Sequence, residues 1–416
     1  MVALAVAALV YWETRPQVVI LKNGTRLTLA SVTYGKHHVF KGIKTPGSRP
    51  RGRATLDTTN DTVVVWIKSE HKMSQYPNYQ LLVYDSANTA CVGAWQRTGN
   101  QIKNGVEIMG FALDAFPRRD RKMILRVADW GNGSGMHIAK GEFVVSNPGP
   151  RSFPDWQPDP LPDTQSDGDL DVTLTKCAWV AQGFMFGNVT APPGDSMRKA
   201  VAVTFHFEQN GNIATNWQPV AIVTSDATGN HSSLNGWSSS HDDKGDPTMT
   251  YQWGLWPEEK AWKLRVEMSR SSGFNNNEEW AVSNIPLKKG NWNDLWNYNM
   301  GRNHPTDSPV AETTLQGVHL KIYPAIETDQ NFGMGQKSGG VHVTVKPDLP
   351  EGFRMSLVDL TDENGHKLPP TWGPNGSGNG NYIFQLPDIR NAKSLNLTIV
   401  VHQSRFVEFT VKPAPQ

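Results

Sequence analysis

A few places in this chain gather groups that could move protons or hold a metal: the neighbours Glu258 and Glu259, "KHH" (36–38), "HDD" (241–243) and the acidic run "DTQSDGDLD" (163–171). Glycosidic hydrolysis needs two carboxyl groups facing each other about 5–10 Å apart. Glu258 and Glu259 are adjacent in a short spacer, so the sequence does not place them across a cleft. Neither histidine cluster has a third ligand at metal-binding spacing, and both read as solvated loop polarity. Asp163, Asp167, Asp169 and Asp171 surround a glycine turn, and oxygens so arranged suit Ca²⁺. The EF-hand order and its bidentate glutamate are missing, so the run reads as a solvated acidic linker. The GxSxG elbow, HExxH helix, P-loop and strand-to-helix GxGxxG are not found, and "GNGSG" (131–135) reads as a flexible hairpin. The two cysteines, Cys91 and Cys177, cannot form a zinc knuckle and read as small buried apolar residues. The expectation is a protein without catalytic residues, metal or cofactor.

The aromatic residues are more unusual. Of 15 tryptophans, nine lie between positions 179 and 296. Trp217, Trp253, Trp292, Trp296 and Tyr298 form a candidate ligand-binding set, because "NWNDLWNYN" (291–299) mixes aromatic faces with amides. That mixture suits stacking and hydrogen bonding to a glycan or peptide.

The elements that would carry these residues recur. "AFPRRDRKMILRV" (115–127), "LWPEEKAWKLRV" (255–266) and "QLPDIRNAKSLNLTIVV" (385–401) share an apolar residue, a proline, a polar spacer and an alternating run. Strands that run into an Asp-led turn place Asp85, Asp226 and Asp362 at equivalent positions. Trp95, Trp237 and Trp372 follow, and "EFVVSNP" (142–148), "EEWAVSNIP" (278–286) and "VEFTVKP" (407–413) close each copy. Trp256 aligns with Phe116 and Leu386, and Trp280 with Phe143 and Phe409, so these read as core positions. Short runs rich in Val, Thr, Ile and Trp between Asn-Gly, Asp-Gly and Pro clusters predict an all-β chain. A period of about 120–150 residues makes each copy a whole domain. The prediction is three tandem β-sandwiches, immunoglobulin-like or C2-like, at 17–149, 169–287 and 313–416. A Pro-rich linker (150–168) and an Asn/Trp-rich linker (288–312) join them.

Charge and hydropathy divide the chain. Residues 1–150 hold 19 Lys+Arg and 10 Asp+Glu, a net of +9, and the remaining 21 and 29 give −8. The apolar run at 2–12, within a segment 1–16, is too short for a bilayer, which needs about 20 residues, and lacks a basic signal-peptide start. It is expected to be the outer end of a membrane anchor or a signal remnant. Lys36, Lys41, Lys44, Arg49, Arg51 and Arg53 surround the turn-rich "KTPGSRPRGR" (44–53), with no acid between Val32 and Asp57. They are candidates for contact with anionic lipid.

With these features the chain resembles, in organisation, uncharacterised bacterial envelope proteins with an N-terminal anchor and tandem immunoglobulin-like β-sandwich domains. The resemblance implies a membrane-anchored, extracytoplasmic, non-enzymatic scaffold, adhesion or partner-binding protein, and brings no catalytic residues. The alternative is a carbohydrate-binding protein using the aromatic residues of the second copy, or less favourably a glycan-active enzyme. The partner is a protein or glycan, with the membrane reached through the N-terminal segment; nucleic acid is not expected.

Overall fold

The computed structural model describes residues 17–40, 54–70, 79–91, 97–102, 106–113, 115–129, 137–149, 152–181, 199–234, 238–252, 256, 258–290, 308–328, 338–346, 348–368, 372–376, 380–386, 389 and 392–415. The described chain is all-β. It forms two compact units, one of Met1–His206, Ala221–Val266 and Val407–Gln416, the other of Phe207–Val220 and Glu267–Phe406.

The first strands are β1 (Val18–Ile20), β2 (Arg26–Phe40), β3 (Ala54–Glu70), β4 (Tyr79–Tyr84), β5 (Ala90–Cys91), β6 (Arg97–Ile102), β7 (Val106–Leu113), β8 (Lys122–Asp129) and β9 (His137–Ser146). They build one sheet in the order β1-β2-β3-β7-β6 and another in the order β5-β4-β8-β9. Tyr79 of the second sheet packs on Phe111 of the first with ring centroids 5.6 Å apart, so the two lie face to face. Both faces of β3 are covered, as the uninterrupted burial of Val63–Ile67 requires. One of them carries a small cluster of Phe40, Val64, Trp66, Ile108 and Ala112. Gly110 makes room for it: a Cβ there would lie 2.8 Å from Cζ3 of Trp66.

The next strands are β10 (Asp163–Asp167), β11 (Leu170–Ala181), β12 (Lys199–Gln209), β13 (Asn212–Ile213), β14 (Trp217–Asp226), β15 (His231–Leu234), β16 (Ser238–His241), β17 (Pro247–Gln252) and β18 (Trp262–Arg270). The last are β19 (Glu279–Lys289), β20 (Ala311–Leu315), β21 (Val318–Ile322), β22 (Ala325–Thr328), β23 (Ser338–Lys346), β24 (Phe353–Asp362), β25 (Trp372–Gly376), β26 (Asn381–Leu386), β27 (Ser394–Gln403) and β28 (Arg405–Val411). One further sheet runs β10-β11-β12-β17-β16 and another β15-β14-β18-β28. In the second unit β20, β21, β23, β26 and β25 follow one another, and β22 continues this sheet into β19-β27-β24. Its core includes Val282, Ile285, Leu320, Val343, Phe384, Leu397 and Ile399.

Two differences from the sequence reading stand out. The acidic run does not act as a linker: Asp163–Asp167 is β10, in antiparallel register with Leu170–Leu174, with the turn at Gly168 in the left-handed region (φ 65°). The closing strands also change places. β9 pairs with β8, its neighbour in the chain. β19, which follows β18, instead pairs with β27, and β28, which follows β27, pairs with β18. Only Ser404 separates β27 from β28. A hairpin needs at least a two-residue turn, so β28 cannot fold back onto β27.

Candidate functional site

The Asp-led turns have one construction. Each Asp backbone N–H bonds the carbonyl four residues on, and its own carbonyl accepts from the residue three on: Asp85 with Thr89 and Asn88, Asp226 with Asn230 and Gly229, Asp362 with His366 and Gly365. The third of these residues has positive φ in every case (Asn88 66°, Gly229 89°, Gly365 82°), which Asn and Gly tolerate. The carboxylate closes the turn by accepting from backbone N–H groups: Asp85 from Thr89, Asp226 from Thr228 and Asn230, Asp362 from Asn364 and His366. Asp242 builds the same turn with Gly245 and Asp246, so the motif is local turn chemistry and not itself a site.

Within the first unit, two of these turns meet two of the proline segments. Asn230 Oδ1 accepts from the Phe116 N–H and Arg118 Nε at 3.1 and 2.9 Å, and its amide nitrogen donates to the Phe116 carbonyl at 3.0 Å. Reciprocally, Thr89, which holds the place of Asn230, donates to Glu258, which holds the place of Arg118, at 3.5 Å. Between these contacts Arg119 clasps its own counterpart, Glu259, at 2.7 and 3.1 Å. In sequence the two segments carry reversed charges, Arg118-Arg119-Asp120 and Glu258-Glu259-Lys260, and the direct contact between them is that of Arg119 with Glu259. Asn147 holds the arginine segment in shape, its amide donating to the carbonyls of Pro117, Arg118 and Asp120.

A small pocket at this joint is lined by Asp85, Arg118, Asp120, Trp256 and Glu258 among others. Burial, with Asp120 nearby, pushes the Asp85 carboxyl above its ordinary range; burial and the charges of Asp85 and Asp120 do the same to Glu258. Such shifts accompany acid–base sites. Here, however, Glu259 is committed to Arg119, and Asp120 accepts from the backbone and hydroxyl of Ser86. The arrangement is therefore a joint centred on the Arg119–Glu259 pair, with Asp85 and Glu258 raised beside it and Arg118 bonded to Asn230 and the Asp61 carbonyl.

A larger cleft, about 450 Å³, opens beside β2 and is lined by Thr28, Ala30, Ser31, Thr33, Val39, Phe40 and Lys68. Thr33 connects it to the interior: its hydroxyl lies 2.9 Å from Nδ1 of the buried His38 and accepts from Trp66 Nε1 at 3.2 Å. Burial holds the His38 pKa below its ordinary value. Lys68 is paired with Glu70.

In the second unit Ser269 Oγ lies 3.3 Å from His402 Nε2, the spacing of a nucleophile and its base. Both residues are buried, at 4% and 0% exposure, which denies a substrate access, and His402 Nδ1 has no orienting carboxylate. The pair is part of the core, and its spacing of 133 residues gave the sequence no signal.

Of the predicted aromatic set, Trp217 is described, and its ring is not an open platform. It is 4% exposed, with Arg270 and Arg405 guanidinium carbons 5.9 and 5.8 Å from its centroid and Nε1 donating to Gln209. Trp253, Trp292, Trp296 and Tyr298 lie outside the described residues. Lys36 is exposed on β2; Lys41, Lys44, Arg49, Arg51 and Arg53 lie outside the described residues, in the connection between β2 and β3. Asp163 and Asp171 accept from Gln165 and Ser166, and the described residues contain no group of three or more His, Cys, Asp or Glu able to hold a metal. Cys177 is a free thiol that burial pushes up to about 12. No described helix is long and apolar enough to cross a membrane. Neither protein families, nor curated proteins, nor solved structures provide a match to this chain.

Proposed function

We propose that this protein is a non-enzymatic scaffold or partner-binding protein of the cell envelope, built from three copies of one sandwich. The repeat is supported by sheet order: β1-β2-β3-β7-β6, β10-β11-β12-β17-β16 and β20-β21-β23-β26-β25 share one pattern. So do β5-β4-β8-β9, β15-β14-β18-β28 and the three strands β24-β27-β19. The observation that carries the functional reading is the Arg119–Glu259 joint. The motif that recurs most clearly places a charged residue, Arg119, against the oppositely charged Glu259 at the corresponding place of another copy. Reversal makes the contact specific, since a copy meeting its own kind would set like charges together.

The membrane part of the reading rests on the apolar run at 2–12 and on the basic residues between β2 and β3. A cation near an anionic bilayer contributes about 1 kcal/mol, and Lys36, Lys41, Lys44, Arg49, Arg51 and Arg53 lie together in the sequence. The test mixes the chain from residue 17 onward with anionic and neutral vesicles. Salt-sensitive sedimentation with the anionic vesicles, lost on changing Arg49, Arg51 and Arg53 to Ser, is expected. Equal binding to both vesicles, or none, removes the membrane role.

A further inference from the structure

One half of the joint gathers three carboxyl groups whose cationic neighbours are committed elsewhere. They meet on the turn that runs from Asp85 to Thr89. Asp85 itself accepts from the Thr89 N–H at 2.6 Å. Asp120 accepts from the Ser86 N–H and hydroxyl at 2.9 and 2.7 Å. Glu258 accepts from the Thr89 hydroxyl at a long 3.5 Å. All three acids line one pocket of about 50 Å³. The cations around it face other partners: Arg118 meets Asn230 and the Asp61 carbonyl, Arg119 meets Glu259 and Asp155, and Lys260 meets Asp155. The remaining acid of the joint, Asp226, closes its own turn on Thr228 and Asn230.

The same pocket holds a donor without an acceptor. Trp256 lines it and is 4% exposed, and its buried Nε1–H has no hydrogen-bond partner among the described residues. A space of this size has room for about one water, which accepts from the indole and donates to a carboxylate. Like charges set together disfavour their ionised forms, so such a cluster takes up a proton more readily than separate acids do. Burial first, and then the neighbouring acids, raise both Asp85 and Glu258 above the ordinary carboxyl range. A shared proton replaces the repulsion between Glu258 and the Asp85 turn with a charge-assisted hydrogen bond, direct or through that water. The other half of the joint has no such excess of negative charge: Asn230 holds Phe116 and Arg118, and the Arg118 cation stands by Asp226. Acid therefore tightens one side and leaves the other, with the Arg119–Glu259 clasp, as the pivot.

We propose that this pocket is a proton-binding site that makes the joint a pH-sensitive hinge. In acid Asp85 and Glu258 share a proton, which draws Glu258 onto the turn that runs from Asp85 to Thr89; when both ionise, they part. The proposal goes beyond the scaffold reading, and its test reads the joint alone, so it holds or fails whether or not the protein touches a membrane.

The experiment uses the full chain with Cys91→Ser and nitroxide labels on Lys122→Cys and Lys244→Cys; Cys177 is buried. Lys122 is exposed at the start of β8, and Lys244 is exposed in the turn between β16 and β17. Pulsed electron spin resonance gives the distance distribution between the labels at about pH 7 and about pH 5, both above the ordinary carboxyl pKa near 4. The distribution is expected to be wide at the higher pH and narrow at the lower. With Asp85→Asn and Glu258→Gln together, which keep the acceptor oxygens and remove the charges, it is expected to be narrow at both. A parent distribution that does not change with pH overturns the proposal. So does a double variant that still narrows in acid, or that stays wide at both values. Should the double variant lose its β-type circular dichroism, Glu258→Gln alone, at an exposed position, decides: a pH response as large as the parent's overturns the proposal, and its loss supports it.

Discussion

Arg119 meets Glu259 with two parallel hydrogen bonds, Nε to Oε1 at 2.7 Å and a terminal nitrogen to Oε2 at 3.1 Å. The glutamate side chain is 8% exposed and the arginine 37%, so the acid depends on its partner more than the reverse. Removing one member of a desolvated pair leaves the other charge unpaired, which costs about 3–5 kcal/mol when fully buried. With the arginine still partly hydrated, Arg119→Ala should cost roughly half of that range. Arg119→Glu should cost more, because it sets two acids together. The exchange Arg119→Glu with Glu259→Arg should recover most of the loss, and urea denaturation of the four variants measures the coupling. Additive losses with no recovery would mean that the joint does not depend on this pair.

Asp85 offers a pH test at the same joint. It is 4% exposed, and burial raises its carboxyl pKa against the lowering effect of its bond from the Thr89 N–H. A carboxyl whose folded pKa exceeds its unfolded value favours folding fully below the unfolded pKa. That contribution is lost as pH rises through the folded value. At neutral pH the ionised group therefore weighs against the fold. Asp85→Asn keeps the acceptor oxygen that closes the turn and removes the charge. Relative to the parent, the variant should gain stability at pH 7 and lose the advantage as pH falls below the ordinary aspartate range, near 4. Urea midpoints across that window decide it; a variant less stable at pH 7 would show the charge to be needed.

Much of this was legible from local sequence. Asp with Asn or Gly three residues on dictates a five-residue hairpin turn, and three of the four turns of this kind were read correctly as strand ends running into turns. The alternation of "KMILRVAD" and "SLNLTIVV" gave their strands because one face of each is buried. The pairing of closing strands was not legible by alignment, since "EEWAVSNIP" and "VEFTVKP" look alike. The signal was the missing turn: "HQSRF" has no room to reverse, unlike "WGNGSGM" before β9. Trp217 was legible as an aromatic residue but its surroundings were not, because Arg270 and Arg405 come from far along the chain. The charge reversal at the joint was written in the sequence, but its meaning needed the contact between Arg119 and Glu259.

Gly110 tests the cluster around Trp66. Its Cβ position lies 2.8 Å from Trp66 Cζ3 and 3.1 Å from two further ring atoms, and Trp66 is fully buried. The ring cannot withdraw without losing Phe40, whose centroid is 5.6 Å away. Overpacking of this kind costs about 1–3 kcal/mol. Gly110→Ala should therefore destabilise the first unit by about that amount, less the few tenths of a kcal/mol or so that alanine returns by restricting the unfolded chain. A neutral effect in thermal unfolding would mean that the indole has room to move.

Phe409 separates two accounts of the C-terminal strand. If 313–416 were a self-contained sandwich, truncating this side chain would loosen β27 and the strands around it. In the structure Phe409 instead packs against Phe205, and Lys263 pairs with the adjacent Glu408. Replacing a fully buried phenylalanine by alanine costs about 3–5 kcal/mol, through lost apolar contact and the cavity left behind. The loss should be local to the sheets that hold β28. Hydrogen exchange on Phe409→Ala should quicken at residues 201–206, around the Phe205 on which Phe409 packs, and at 262–266 of β18, which pairs with β28. It should leave residues 395–401 protected, because β27 remains flanked by β19 and β24. Faster exchange confined to β27 would mean that Phe409 supports β27 and not the sheet that holds β18.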